Sequence, residues 1–130
     1  MKHVEVVAAI IQYQDKILCV QRGDGKFDYI SRKFEFPGGK IEEGESQTEA
    51  LRREILEELN MPITIGSHFM TVEHAYPDFA ISMHSFLCET HNTALKLIDH
   101  IDYKWLIKSE LPTLDWAAAD IPIVKKLMEV

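Results

Sequence analysis

Gly38-Gly39-Lys40-Ile41-Glu42-Glu43-Gly44-Glu45-Ser46-Gln47-Thr48-Glu49-Ala50-Leu51-Arg52-Arg53-Glu54-Ile55-Leu56-Glu57-Glu58-Leu59-Asn60-Met61 is the stretch that decides the fold. Its second half has a helical period. Ser46-Gln47-Thr48-Glu49 matches a capping box, in which the serine hydroxyl accepts the N–H three residues on and the glutamate reaches back. Leu51, Ile55 and Leu59 recur at i+4 as a buried stripe. Asn60-Met61-Pro62 is a stop signal, because asparagine tolerates the left-handed conformation that closes a helix and proline cannot continue one. A helix is therefore expected over 47–59. Before it, Phe34-Glu35-Phe36-Pro37 reads as a short strand running into Gly38-Gly39, where the backbone needs positive φ or close approach by a ligand.

Upstream, Val4 to Ile11 is apolar on both faces, as a central strand would be. A polar turn at Gln14-Asp15-Lys16 leads to a second strand, Ile17 to Arg22, and proximity predicts a hairpin between the two. Gly23 to Lys33 reads as a mobile basic loop. Downstream, Ile65–Val72 and Ile81–Cys88 read as strands separated by a turn at Tyr76-Pro77-Asp78, and Tyr103–Ile107 as one more. Asp120-Ile121-Pro122 predicts an N-cap with proline entering a C-terminal helix through Met128. The expected class is α+β, in one domain over residues 1–130.

Composition narrows the function. Fourteen Lys and Arg against 21 Asp and Glu give a net charge of −7, which argues against gripping a nucleic-acid polymer by general electrostatic attraction. Cys19 and Cys88 lie in apolar runs and the N-terminus has no secretory pattern, so free thiols in a cytoplasmic setting are expected. The longest apolar stretch, Val6 to Ile11, is too short to span a bilayer, and no membrane partner is expected.

On the predicted helix Glu54, Glu57 and Glu58 stand at i, i+3 and i+4, so all three share a face. Three like charges that close repel one another unless Arg52 and Arg53 neutralise them or a cation sits among them. All-oxygen ligation favours Mg²⁺, with Mn²⁺ able to substitute, and a diphosphate would complete the coordination. The plainer reading is a solvated Glu/Arg face. The spacing upstream separates the two. Gly39, Glu45, Arg53, Glu54, Glu57 and Glu58, with apolar Ile55 and Met61, are spaced Gly-x5-Glu-x7-Arg-Glu-apolar-x-Glu-Glu-x-x-apolar. Six fixed positions of roughly 6% chance each would coincide in roughly 10⁻⁷ of windows.

This pattern resembles the Nudix box, with Asn60 where the box has its late glycine. Beyond the box, Val4 to Ile11, Glu35-Phe36-Pro37-Gly38-Gly39-Lys40 and Ala119-Asp120-Ile121-Pro122 resemble the MutT-type nucleoside triphosphate pyrophosphohydrolases, closest to the bacterial CTP pyrophosphohydrolase branch. The resemblance implies a mixed β-sheet sandwiched between helices. It also implies Mg²⁺-dependent attack of water on a (deoxy)nucleoside triphosphate, damaged, modified or CTP-like, giving nucleoside monophosphate and pyrophosphate.

By the same resemblance Glu54, Glu57, Glu58 and the carbonyl of Gly38 are metal ligands, and Glu45 and Arg53 an ion pair that supports them. Asp99, six residues before Trp105 and followed by His100, matches a late acidic position that serves as general base or further ligand. Arg22 and Lys40 are phosphate contacts, and Asp120 matches a base-recognition position. Phe36, Phe79 and Trp116 are candidates to stack on or line the base pocket, although aromatics are more often core. The expected partner is a small nucleotide and the expected state a monomer or homodimer. ADP-ribose or dinucleoside polyphosphate cleavage is the alternative within the same chemistry, weakly echoed by Tyr76-Pro77; a non-catalytic nucleotide-binding regulator is the alternative outside it.

Overall fold

The computed structural model describes all of residues 1–130. Seven strands, β1 (Lys2–Tyr13), β2 (Lys16–Gln21), β3 (Phe34–Glu35), β4 (Gly38–Lys40), β5 (Thr64–Ala75), β6 (Phe79–Glu89) and β7 (Asp102–Ile107), form one mixed sheet. Two α-helices, α1 (Gln47–Leu59) and α2 (Ile121–Glu129), and two 3₁₀ turns, Lys108–Thr113 and Ala118–Asp120, complete the chain.

The central strand is β1, as its two-faced apolar run requires. Ala8 and Ile10, with Ile17 and Cys19 of β2, point to a core shared with Leu111, Trp116, Ile123, Val124 and Leu127. Val7, Ala9 and Ile11, with Leu18 and Val20, point to the opposite face and pack on Ala50, Leu51, Ile55, Leu59 and Met61. One strand thus feeds two cores, and the sheet lies between α1 on one side and α2 with the 3₁₀ turns on the other. This is the helix-sheet-helix sandwich expected from the resemblance. Burying one large aliphatic such as Ile55 contributes roughly 1.5–3 kcal/mol, and the α1 stripe has three that are fully buried.

Pairing differs from the expected hairpin. Only Gln12↔Ile17 and Tyr13↔Lys16 join β1 to β2. Over most of its length β1 pairs in parallel with β6, from Lys2↔Phe79 to Gln12↔Glu89. Its other edge pairs with β4 at Val6, Val7 and Ala8. Strand β2 turns away to pair with β7. The edge of β1 is therefore split between β2 and β4, and the chain between those strands borders the cleft described below.

Helix α1 begins and ends where its caps dictate. The Ser46 hydroxyl accepts the Glu49 N–H at 3.1 Å, and the Glu49 carboxylate accepts the Ser46 N–H at 2.9 Å. Asn60 closes the helix at φ 50° and ψ 41°. Its last carbonyls are not left to solvent, since those of Glu58 and Leu59 accept the Ile98 and Lys96 N–H groups at 3.2 and 2.9 Å. The loop that carries Asp99 is thereby tied to the helix that carries Glu58.

One further expectation needs correction. Asp120 does not cap α2 with its side chain: the carboxylate accepts the Phe36 N–H at 3.0 Å instead. The 23–33 segment is a loop, as expected, and folds on itself: Phe27 O accepts the Ile30 and Ser31 N–H groups, Phe27 stacks on Tyr29, and the Tyr29 hydroxyl donates to Asp78 at 2.8 Å. No helix is long and apolar enough to cross a membrane.

Candidate active site

Gly38 and Gly39 set the geometry from which the site is built. Neither has positive φ; both are required by close approach. A Cβ on Gly38 would overlap the backbone of Val7, so the glycine lets β4 lie against β1. A Cβ on Gly39 would overlap the Glu54 carboxylate. The close approach expected here is thus made by the neighbouring strand and by an acidic side chain of α1, which the second glycine admits into the cleft.

That cleft has a volume of about 1070 Å³. At one end Glu54, Glu58, Glu35 and Asp99 line it beside Gly38 and Gly39; Arg22 and Lys40 lie along its side; Phe36, Phe79 and Asp120 line the remainder together with the apolar sheet face of Val4, Val6, Ile81 and Met83. The arrangement is polar and acidic at one end and apolar and aromatic at the other.

The acidic end is electrostatically loaded. Burial pushes the Glu58 carboxyl up to about 8, aided by the charges of Glu54, Glu35 and Asp99. Its Oε2 is buried and has no hydrogen-bond partner. A buried carboxyl with an unsatisfied oxygen among like charges is relieved by a proton or by a cation. The acidic side chains here offer carboxylate oxygens, hard donors that suit Mg²⁺ or Mn²⁺. No three Asp, Glu, His or Cys side chains are gathered about one point. Glu57 stands apart, 60% exposed, because its carboxylate accepts from Arg53 at 3.2 Å.

Arg53 organises this end. Its Nε donates to Glu45 Oε2 at 2.7 Å and its Nη2 to Glu45 Oε1 at 2.9 Å, a bidentate pair. The same guanidinium donates to Glu54 at 2.9 Å and to the Lys40 carbonyl at 3.0 Å. Glu45 responds with a carboxyl held down to about 2, first by the hydrogen bonds from Arg53 and then by the Glu42 N–H. One side chain therefore links the loop after β4, the helix N-terminal half and the Glu54 carboxylate.

Phe36, which is buried, and Phe79, which is half-buried, both line the cleft. Trp116 does not line the cleft, contrary to expectation. It stacks behind Phe36 with ring centroids 4.7 Å apart, and its indole N–H donates to the Leu111 carbonyl at 2.7 Å. That bond satisfies the one polar atom of the indole and fixes the ring in the core. Asp120 is 4% exposed, and burial, with the charge of Glu35, raises its carboxyl well above the usual carboxylate range.

Glu35, to which spacing gave no role, connects the site through His100, the neighbour of Asp99. Glu35 accepts from Arg22 at 3.3 Å with one oxygen and from His100 Nε2 at 3.0 Å with the other. Glu35 and His100 are 65 positions apart in sequence, so no local pattern could have joined them.

With the geometry established, comparison with known proteins gives a consistent result. The family model for the NUDIX domain matches residues 6–126. The chain is 35% identical over 128 residues to the CTP pyrophosphohydrolase of Escherichia coli (strain K12), covering 98% of this chain and 93% of that one. It is 28% identical over 127 residues to the 8-oxo-dGTP diphosphatase of the same strain, covering 98% of each. It superposes on the solution structure of the E. coli ORF135 protein with a TM-score of 0.84 at 36% identity, covering 99% of this chain and 91% of that one.

Proposed function

The chain belongs to the Nudix family, as a hydrolase of the MutT and CTP pyrophosphohydrolase type, and from that premise we propose that it uses Mg²⁺ to cleave a (deoxy)nucleoside triphosphate to the monophosphate and pyrophosphate. One observation carries the reading. The buried, unpartnered oxygen of Glu58 lies at the acidic end of a cleft whose other end is apolar and aromatic. A cation-bridged phosphate chain fits the first end and a nucleobase the second.

In this reading Glu54, Glu58 and the Gly38 carbonyl would hold the metal, and Glu57 would join them on releasing Arg53. When bound, the metal neutralises phosphate oxygens and lowers the pKa of a water. Arg22 and Lys40 offset the charge of the phosphate chain. Asp99 takes the proton of the attacking water. Water oxygen bonds to phosphorus as the bond to the departing pyrophosphate breaks, and Arg53 and Glu45 keep Glu54 in place throughout. Phe36 and Phe79 flank the base. Asp120 presents it with the carboxyl oxygen that Phe36 does not use.

The test is a pyrophosphate-release assay with Mg²⁺ across normal, oxidised and methylated nucleoside triphosphates, with ADP-ribose and a dinucleoside polyphosphate included. Preference for a triphosphate supports the proposal. Turnover of ADP-ribose or the dinucleoside polyphosphate alone would overturn the substrate class while keeping the hydrolytic chemistry. Tight nucleotide binding without turnover of any of them would replace the enzyme by a binding regulator.

A further inference from the structure

Among the acidic side chains at the cleft's polar end, Glu35 is the one with both oxygens committed. Glu58 keeps a buried oxygen without a partner, whereas Glu35 accepts from Arg22 on one side and from His100 on the other. It is only 18% exposed, and it is close enough to Glu58 for its charge to act there. Ligation of a metal by Glu35 would compete with these bonds for the carboxylate's lone pairs; ligation by the unpartnered oxygen of Glu58 would not.

His100 shows what the commitment does. Its side chain is 5% exposed and its Nδ1 is buried without a partner, so the bond from Nε2 to Glu35 is the one hydrogen bond of the ring. The backbone on either side is fixed. Ile98 N–H donates to the Glu58 carbonyl at 3.2 Å and Ile101 N–H to the Gln21 carbonyl at 2.9 Å. Between these anchors, one on α1 and one on β2, lie Asp99 and His100. Without Glu35 the imidazole would have neither nitrogen satisfied and would be driven toward water, and Asp99 is its chain neighbour. Arg22, 44% exposed, would lose the group that holds it beside the cleft.

We infer that Glu35 is a positioning residue of the hydrolytic site, bracing Arg22 with one carboxylate oxygen and, through His100, the Asp99 loop with the other. The inference rests on the function proposed above. It separates two effects in one residue: Arg22 faces the phosphate chain, so its placement enters KM, and the Asp99 loop faces the attacking water, so its placement enters kcat.

The experiment is steady-state pyrophosphate release at saturating Mg²⁺, on the triphosphate that the wild type turns over best, for H100A, E35A, E35Q and the double variant E35A/H100A. H100A should lower kcat about 10–100-fold, the range for losing a group that orients an active-site side chain, with little change in KM. E35A should lower kcat to the same extent and also raise KM. The double variant should fall no further in kcat than E35A, because Glu35 reaches the Asp99 loop through His100. E35Q should spare kcat and raise KM, since the amide oxygen still serves the buried His100 while the amide nitrogen faces Arg22. That split is one a merely structural role would not produce, and it stands even if E35A fails to fold. Losses in kcat that multiply in the double variant, or wild-type constants for E35Q and H100A, would overturn the inference. So would an Mg²⁺ half-saturation raised as far by E35Q as by E54Q, which would make Glu35 a ligand.

A readout independent of turnover separates the inference from its premise. Nitrogen-correlated NMR of the imidazoles should show His100 protonated at Nε2 with a slowly exchanging N–H in the wild type and an exposed one in E35A. Turnover by a wild type whose His100 N–H is unprotected would overturn the inference alone. A wild type that hydrolyses no nucleotide would overturn the proposed function and this inference with it.

Discussion

Replacing Glu58 by glutamine should stabilise the metal-free protein while abolishing its activity, and the size of the gain follows from the burial of that carboxyl. The folded chain holds the Glu58 proton up to about pH 8, against 4.5 for an ordinary glutamate. Between those values the folded state retains a proton that the unfolded state has released, so each step up in pH favours unfolding. Taken at face value the shift corresponds to about 5 kcal/mol, and solvent reach at a carboxyl that is not fully enclosed reduces this to on the order of 2 kcal/mol. Glutamine is isosteric and has no proton to lose. In EDTA the melting temperatures of E58Q and wild type should lie close together near pH 5 and diverge as pH rises, reaching about 7 °C in favour of E58Q above pH 8. The two proteins share every other ionisable side chain, so the difference between the two curves isolates Glu58. Mg²⁺ at 100 times its Kd should then restore about 2.7 kcal/mol to the wild type and far less to E58Q. Parallel curves in EDTA would refute the argument, since they would mean that Glu58 is ionised at no cost in the folded protein.

Gly39→Ala places a Cβ against the Glu54 carboxylate, so the Mg²⁺ concentration for half-maximal pyrophosphate release should rise about 10–100-fold while the far-UV circular dichroism stays that of the wild type. Unchanged Mg²⁺ dependence would show that Glu54 is not a ligand. Arg53→Lys keeps the charge but loses the bidentate pair with Glu45 and most of the bonds to Glu54, Glu57 and the Lys40 carbonyl; kcat should fall about 10–100-fold, and wild-type kcat would remove Arg53 from its supporting role. Asp120→Asn preserves the acceptor for the Phe36 N–H and should reorder the substrate panel without moving the Mg²⁺ half-saturation. An unchanged rank order would refute the assignment of Asp120 to base recognition.

What was legible in the sequence was what neighbours in sequence decide. Helix α1 runs from Gln47 to Leu59, as expected, because its signals are local: a capping box within four residues and an asparagine that adopts the left-handed conformation. The five longer strands cover the runs expected to form them, since alternation and turn chemistry act over a few residues, whereas β4, Gly38-Gly39-Lys40, carries no strand signal of its own. Partners are another matter. The Val4–Ile11 run announces burial on both faces but not that β6, more than seventy residues on, supplies the parallel neighbour, and the short turn after Tyr13 suggests a hairpin that extends for only two pairs. The candidate site divides along the same line. Glu54 and Glu58 share a helix face, so their spacing alone brings them together, yet the same spacing cannot say that Arg53 turns Glu57 aside. Trp116 and Phe36 are both aromatic; only the indole N–H bond to Leu111 sends the first to the core while the second lines the cleft. Glu35 appears in the sequence as one residue of a short strand before two glycines. It becomes a brace because β2, β3 and the loop before β7 converge, bringing Arg22 and His100 to opposite oxygens of one carboxylate. Chemistry-bearing residues held by one helix can therefore be inferred from spacing, whereas those that hold separate elements in register with one another have to be found in the assembled fold.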